Sequence, residues 1–211
     1  MSTRGFEGWC ENVAIQLRRE LGLTPTDPLD PKALAKHLGI EVWAAEEVPG
    51  LHPNYLAVLL REDPVGWSAV TVSVETVDVI IFNSALPRER RVSDLAHELA
   101  HILIRHEPGR LDVTEDGLFM LSTHNRKQEN EATWLAGTLL LPRPALIRIG
   151  WEGMELRTAA KQYGVSVEML RYRLNRTDVN EAFKVMPKNV QLRLAMDRSS
   201  SAYEGDTRRK R

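Results

Sequence analysis

Two histidines and a glutamate occur at helical spacing in the pentapeptide His97-Glu98-Leu99-Ala100-His101. Residues four apart lie on one face of a helix, one turn from each other, so the two imidazoles could bind a single divalent ion. Glu98 is rotated by about 100° from His97, which places its carboxylate beside a water on that ion rather than on the ion itself. The spacing predicts a catalytic zinc site with His97 and His101 as ligands and Glu98 as the general base.

The apolar residues around this pentapeptide predict which way its helix faces. At about 100° per residue, they form a stripe roughly 140–260° away from His97. The stripe consists of Leu95, Ala96, Leu99, Ile102 and Leu103. One face of the helix would therefore pack on a core while the histidines face a cleft. An ordinary amphipathic helix with two surface histidines would show the same pattern, so the motif requires a further ligand as support.

A catalytic zinc ion takes three protein ligands and leaves one position open. Cys10 is the only cysteine, which excludes a cysteine-rich site. Ile104 and Glu107 stand where a metzincin would carry glycine and histidine, so that class is also excluded. His106 lies about 140° around the helix from His101 and is expected to point elsewhere.

A second helix offers a better third ligand. Residues 127–141 have a helical pattern that ends at Pro142. Glu129 shares a face of this helix with Ala132 and Ala136, whose small side chains let two helices approach closely. A carboxylate in that position could reach a metal on a neighbouring helix, which makes Glu129 the expected third ligand.

Two rivals to Glu129 remain open at this point. Glu131 lies about 200° around the same helix, and His124 lies in an apparent loop. Glu129 itself could instead be a solvated carboxylate in the first turn of a helix, where the helix dipole favours negative charge.

Composition limits the class of protein. The 211 residues contain 43% apolar and 27% charged residues, as expected for a globular domain, and the net charge of −1 provides no global attraction to nucleic acid or membrane. One cysteine allows no internal disulfide, and the N-terminus has no apolar segment typical of a secretory signal. We therefore expect a cytoplasmic protein without membrane association.

The rest of the chain predicts an α+β fold. Apolar residues at helical spacing between residues 6 and 21 predict a first helix, and Asp30-Pro31 begins a second, short helix that stops at Gly39. Residues 56–60, 68–74 and 77–82 are predicted strands of a small antiparallel sheet, because the linkers between them are short. Residues 106–126 are predicted to form a loop beside the cleft.

Residues 159–174 are similar to a helix-turn-helix, with two alanines, a turn glycine and a second helix. Arg171, Arg173 and Arg176 could contact phosphate. A helical pair that braces the catalytic domain is the interpretation that we favour, because no strong excess of positive charge precedes this segment.

Several of these segments together resemble the ImmA/IrrE family of bacterial and phage metallopeptidases. The matching segments are Ile81-Phe82-Asn83, residues 90–101, and Glu129-Asn130-Glu131-Ala132 leading to Leu139-Leu140-Leu141-Pro142. In that family a glutamate stands thirteen residues before the proline of an L-L-x-P ending, and here that glutamate is Glu129. The resemblance covers roughly residues 7 to 175 and selects the same ligand as the helical phase.

The resemblance implies a zincin-like, α+β metallopeptidase core over residues 1–145, with the small antiparallel sheet packed against the helix of the pentapeptide. A helical extension similar to a helix-turn-helix would follow over residues 146–198, with a disordered basic tail over 199–211. Relatives cut a helix-turn-helix repressor, often encoded nearby, to control stress response, prophage or mobile-element genes. This chain begins with helices that match the family's own N-terminus, so the expected protein substrate is a separate repressor.

Some features of such a site stay open. Two imidazoles and a carboxylate suit Zn²⁺, but Mn²⁺, Fe²⁺ or Co²⁺ could also bind. Candidates for an additional oxyanion donor are His124, Tyr55, His52 and Arg126. Asp94 lies on the histidine face and could support a ligand, although a plain surface or capping role is the simpler expectation.

Two other functions also fit the sequence. One is a regulator that binds DNA through residues 155–176, with a structural or vestigial zinc site. The other is a non-proteolytic module that sequesters a repressor.

Overall fold

The computed structural model describes residues 3–62, 66–74, 77–106, 110–113, 119–122, 125–177 and 179. These residues form an α+β fold with eight α-helices, a three-stranded sheet and a two-stranded sheet. The helices are α1 (Thr3–Glu20), α2 (Pro31–His37), α3 (Pro53–Ala57), α4 (Arg88–Ile104), α5 (Arg126–Leu140), α6 (Arg143–Trp151), α7 (Leu156–Tyr163) and α8 (Val167–Arg176). The strands are β1 (Glu41–Ala44), β2 (Ala69–Val74), β3 (Val77–Phe82), β4 (Arg110–Val113) and β5 (Phe119–Ser122).

The two N-terminal helices form as the sequence predicts. Helix α1 buries a stripe that includes Cys10, Ala14 and Leu17, and it packs against α5. At the start of α2 the Asp30 carboxylate accepts the backbone N–H of Lys32, which satisfies a donor that the first turn leaves free.

The three-stranded sheet is mixed rather than antiparallel. Its order is β1-β3-β2, with β2 antiparallel and β1 parallel to β3. The prediction missed β1, and its strand over residues 56–60 is wrong, because that segment is the end of α3 and a π-helical turn, Val58–Glu62. His52 accepts the N–H of Asn54, and Pro53 supplies a helical φ at the first position, so this segment begins as a helix.

Strand β2 turns the side chain of Thr71 toward α4. Thr71 is paired with Ile80, which is fully buried, and the Thr71 hydroxyl contacts the side chain of Glu98 on α4. Val70 and Val72 lie on the opposite face and are each 40% exposed. The alternation of β2 is therefore that of a half-buried strand, but Val70 and Val72 lie on its more exposed face.

The predicted loop between α4 and α5 contains a β-hairpin. Strands β4 and β5 pair antiparallel, with Arg110 opposite Ser122 and Val113 opposite Phe119. The expectation of a plain loop over residues 106–126 is wrong for these two strands.

Helix α5 lies at the centre of the molecule, between α1 and α4. Small residues on the two helices that carry the predicted ligands are buried: Ala96 and Ala100 on α4, and Ala132 and Ala136 on α5. Because these side chains are short, the two helix backbones approach closely, as the position of the alanines beside Glu129 predicts.

Two buried arginines bind the carbonyl groups at the C-terminal end of α5. Arg18 of α1 donates to Leu140 O at 3.4 Å, and Arg173 of α8 donates through Nε to Leu141 O at 3.1 Å. Arg173 also forms an ion pair with Glu11 at 2.9 Å. These contacts satisfy carbonyls that a helix end leaves without intrahelical partners, and they hold α1 and α8 to α5.

The position of Arg173 corrects one expectation for the C-terminal helices. Helices α7 and α8 are present and are joined at Gly164, which has a φ of +66°. The side chain of Arg173 is fully buried, so it is not placed to contact phosphate as the sequence suggested. Within the described residues, none of the helices combines the length and apolarity needed to span a bilayer.

Candidate metal centre

Helix α4 presents the two histidines on the side away from its apolar stripe. Leu95, Ala96 and Leu99 are buried, whereas His97 and His101 are partly exposed. The orientation that helical phase predicts is therefore the one observed. Burial of the stripe against the core fixes the rotation of the helix and leaves the two imidazoles at an accessible surface.

The structure brings His97, His101 and Glu129 together. The two Nε2 atoms are 3.0 Å apart, His97 Nε2 lies 3.2 Å from Glu129 Oε2, and His101 Nε2 lies 3.5 Å from Glu129 Oε1. Among the residues that the structure describes, this is the group of His, Cys, Asp or Glu side chains whose donor atoms are close enough to hold an ion.

These distances fit a tetrahedral centre. Ligands at about 2.0–2.1 Å from a tetrahedral ion lie roughly 3.3 Å from each other, because the edge of a tetrahedron is 1.63 times its centre-to-vertex length. The Nε2–Nε2 separation of 3.0 Å and the distances of 3.2 and 3.5 Å from the Nε2 atoms of His97 and His101 to Oε2 and Oε1 of Glu129, respectively, bracket that value. Three protein donors would leave the fourth position for water or substrate, as in catalytic rather than structural sites.

Glu129 reaches the histidines from the first turn of α5. The side chain of Asn125 caps this helix by accepting the N–H of Lys127, so the first turn forms directly after the cap. The carboxylate of Glu129 thus extends from the N-terminal end of α5 toward the middle of α4, where the two imidazoles lie.

The rivals to Glu129 have other positions. Glu131 contacts His106 Nε2 at 3.3 Å and does not belong to the cluster of three donors. His124 lies outside the described residues. His106 is not one of the three donors, but its ring does not point away from His101 as helical phase predicted, since the two Nδ1 atoms are 3.0 Å apart.

Glu98 lies on the sheet side of the histidines and is partly buried. Its Oε2 accepts a hydrogen bond from the Thr71 hydroxyl at 2.6 Å. Burial raises the pKa of the Glu98 carboxyl, and this effect is opposed by the Thr71 hydrogen bond and by the charge of His97. The sequence did not indicate Thr71, although its place on the polar side of an alternating strand is a signal that could have been used.

The structure also places four residues that the sequence suggested as a support for a ligand or as oxyanion donors. Asp94 pairs with Arg90 at 3.2 Å, and burial raises the pKa of its carboxyl. His52 caps α3, and Tyr55 is 66% exposed. Arg126 is exposed at the start of α5.

The fold and the cluster define an α+β protein with a potential divalent-metal centre of the metallopeptidase kind. Residues 54–175 match the peptidase M78 family, described as IrrE N-terminal-like domain. This match spans more than half of the chain, and the chain therefore belongs to that family. The ImmA/IrrE resemblance predicted from the sequence is confirmed, over a range that begins later than residue 7.

No curated protein matches the chain. Among solved structures, a transcriptional regulator of Mycobacterium tuberculosis is similar, with 20% sequence identity and a TM-score of 0.49. The aligned region covers 78% of this chain but only 46% of the regulator, so this chain spans about half the length of that protein.

Proposed function

We propose that this chain is a zincin-like, metal-dependent endopeptidase in which His97, His101 and Glu129 hold a divalent ion. One observation carries the proposal: the two Nε2 atoms lie 3.0 Å apart, and each lies 3.2 or 3.5 Å from one oxygen of the Glu129 carboxylate, close to the spacing of ligands around a tetrahedral ion. Two imidazoles and one carboxylate favour Zn²⁺, and Mn²⁺ is the next candidate. Membership of a peptidase family supports hydrolysis of a peptide bond as the reaction.

Glu98 is the proposed general base and acid. A bound divalent ion would supply Lewis-acid polarisation of the peptide carbonyl and would make the attacking water more acidic. Glu98 takes one proton from that water while the oxygen adds to the carbonyl carbon, and it then gives the proton to the leaving amine as the C–N bond breaks. The Thr71 hydroxyl holds one oxygen of the Glu98 carboxylate, so the carboxylate keeps a defined orientation.

The proposed substrate is an extended peptide segment that adds to the free edge of β2. Among the described strands, β2 pairs with β3 and with no other. Thr71 on this strand contacts Glu98, so a segment added along β2 would pass close to the proposed base. Main-chain hydrogen bonds to an edge strand bind a peptide with little dependence on its side chains.

The family suggests the source of that peptide. We propose a separate helix-turn-helix repressor, encoded nearby, as the protein substrate, and control of stress-response, prophage or mobile-element genes as the outcome. The presence of a single cysteine, which is buried, agrees with action in the cytoplasm. We keep the division of the chain predicted from its sequence, with a catalytic core to residue 145 and a bracing helical extension after it.

The structure does not favour the alternative of DNA binding through α7 and α8. The side chain of Arg173 is buried against α5. The first residues of α8, which would read bases in a helix-turn-helix, line a groove shared with the start of α4, and the charges around this groove are mixed, with Arg157 and Lys161 beside Glu168. A bracing role for this helix pair agrees better with these contacts.

The test combines metal analysis with a cleavage assay. The purified wild-type protein, Glu98→Gln and His97→Ala would be incubated with the repressor encoded beside the gene. We expect the wild type to bind about one divalent ion and to cut the repressor, Glu98→Gln to bind metal without cutting, and His97→Ala to lose both. Cleavage that survives Glu98→Gln or exhaustive chelation would overturn the proposal.

A further inference from the structure

His101 has a second contact, on the ring nitrogen that faces away from Glu129. Its Nδ1 lies 3.0 Å from Nδ1 of His106. His106 in turn places Nε2 3.3 Å from Glu131 Oε2, and the His106 side chain is only 6% exposed. A continuous series of contacts therefore runs from the cluster of three donors through two imidazoles to a carboxylate.

The end of α4 creates this arrangement. Arg105 follows the helix with φ 59° and ψ 47°, a left-handed conformation that ends the helix. The chain then reverses, and the N–H of His106 donates to His101 O at 3.0 Å. Continued helix would place His106 about 140° around from His101, so the reversal is what brings the two rings together.

The contacts allow one proton arrangement that leaves His101 able to bind a metal. His101 Nε2 faces Glu129 and must keep its lone pair, so the proton of a neutral ring lies on Nδ1. That proton is donated to His106 Nδ1, which must then accept. The proton of His106 consequently lies on Nε2 and is donated to the Glu131 carboxylate.

Every donor in this series meets an acceptor. The alternative tautomer of His101 would direct a proton at His97 and Glu129 and could not bind a cation there. Hydrogen bonds to the outer nitrogen of a metal-binding histidine commonly fix its tautomer and ring orientation and raise its basicity. In this protein that partner is a second histidine, which is itself oriented by a carboxylate.

We propose that His106 and Glu131 are positioning residues that hold His101 in its metal-binding tautomer, and that they thereby set the affinity of the site. The inference rests on the proposed function, because it concerns the same centre. Glu131, which the sequence left open as a metal ligand, would orient His106 and would not bind the ion itself. The observed contacts of Glu131 agree, since its carboxylate lies beside His106 and Lys127 rather than in the cluster.

The test measures metal binding instead of peptidase activity. The Zn²⁺ dissociation constant would be obtained by competition with a chromophoric chelator for the wild type, His106→Ala, His106→Gln and Glu131→Gln. Loss of an outer partner typically weakens metal binding by about 10–100-fold, and we expect that loss for His106→Ala. Glutamine can accept from His101 and donate to Glu131, so His106→Gln should recover most of the affinity.

Two variants serve as controls. One lies beside Glu131 in the sequence, and the other removes a carboxylate far from the metal centre. Asn130→Ala alters the exposed neighbour of Glu131, and Glu152→Gln removes a carboxylate paired with Arg148 on the α6 side. Both should bind Zn²⁺ within about twofold of the wild type. Glu131→Gln keeps an acceptor for His106 but removes its charge, so its loss should be smaller than that of His106→Ala.

A spectroscopic measurement on the wild type needs no variant and therefore does not depend on folding of a mutant. In the Zn²⁺-loaded protein, ¹⁵N shifts of the imidazoles should show His101 protonated at Nδ1 and His106 protonated at Nε2. The opposite tautomers, or equal Zn²⁺ affinity of His106→Ala and wild type, would overturn this inference alone. A wild-type protein that binds no divalent ion would instead overturn the proposed function.

Discussion

The hydroxyl of Thr71 donates to Glu98 across the boundary between the sheet and helix α4, with 2.6 Å between the two oxygens. It joins the edge strand that we propose to bind substrate to the side chain that we propose to move the proton. The free edge of β2 and the base are thus linked by one direct contact. The position of the carboxylate consequently depends on the packing of the sheet against α4.

Replacing Thr71 should therefore reduce turnover while leaving metal binding intact. In Thr71→Val the hydrogen bond is lost but the shape is kept, and we expect kcat to fall about tenfold, equivalent to about 1.4 kcal/mol. Thr71→Ser keeps the hydroxyl and should retain most of the activity. Steady-state kinetics and Zn²⁺ titration of both variants provide the check, and an unchanged kcat in Thr71→Val would show that the contact does not orient the base.

The close approach of Gly137 to Arg173 predicts an unusual response to alanine. Glycine to alanine in a helix normally stabilises by up to about 1 kcal/mol. At Gly137, however, an added Cβ would lie 2.8 Å from Arg173 Cδ, and Arg173 is held by Glu11 and Leu141 O and cannot easily move. We expect Gly137→Ala to lower the free energy of unfolding by roughly 1–3 kcal/mol in urea denaturation.

Gly8 is the matched control for this prediction. It also lies within a helix, α1, but an added Cβ there would meet no atom within 4 Å. Gly8→Ala should raise the free energy of unfolding by about 0.5–1 kcal/mol. Equal stabilisation of both variants would show that Arg173 does not lie against Gly137.

Arg105 is the one non-glycine residue with positive φ among the described residues, and its conformation brings His106 back to His101. A left-handed conformation costs a non-glycine residue about 1 kcal/mol, so Arg105→Gly should stabilise the fold by a similar amount and keep Zn²⁺ affinity. A β-branched side chain resists this conformation, so Arg105→Val should both destabilise the protein and weaken Zn²⁺ binding. Thermal denaturation and metal titration would test the pair, and equal Zn²⁺ affinity in both would contradict the role of the turn.

The turn at Asp27 should show a defined pH dependence. The backbone N–H of Thr24 donates to the Asp27 carboxylate at 2.8 Å and lowers the pKa of that group below its usual 3.8. A lowered pKa means that the stabilisation is fully present above about pH 4 and is lost as the pH falls through the folded-state value. Asparagine can still accept this hydrogen bond, so Asp27→Asn isolates the charge.

Unfolding free energies of wild type and Asp27→Asn between pH 2.5 and 7 would measure this effect. We expect the wild type to be more stable at neutral pH and the difference to shrink toward zero in acid. A difference that stays constant across that range would exclude ionisation of Asp27 as its cause.

Local patterns predicted the helices well and the sheet poorly. The cap at Asp30, the stop at Gly39 and the helical period of α1 depend on neighbouring residues and formed as expected. Residues 56–60 are a short apolar run, which periodicity alone cannot assign to a strand or a helix. This run follows the helix that begins after the His52 cap, and it continues in helical conformation. Strand β1 is only four residues long and depends on its parallel pairing with β3, which no local pattern indicates.

His106 shows where helical phase fails. The angle of about 140° between His101 and His106 assumed continued helix, whereas the structure ends α4 at Ile104 and reverses the chain at Arg105. Pro108 and Gly109 follow closely in the sequence and are typical of a helix end, which agrees with the loop predicted from residue 106. The contact with His101 could not be anticipated, because it depends on the side-chain packing that follows the turn.

The sequence by itself determined that His97 and His101 share a helix face, because a separation of four residues is slightly more than one turn. It also indicated Glu129, through helical phase and through the distance to Pro142. The tertiary structure alone decided how the partners of these side chains are arranged: Thr71 at Glu98, and His106 with Glu131 at His101. The physical reason is that spacing within one helix follows from its backbone geometry, whereas contacts between elements depend on how those elements pack and on where each helix ends.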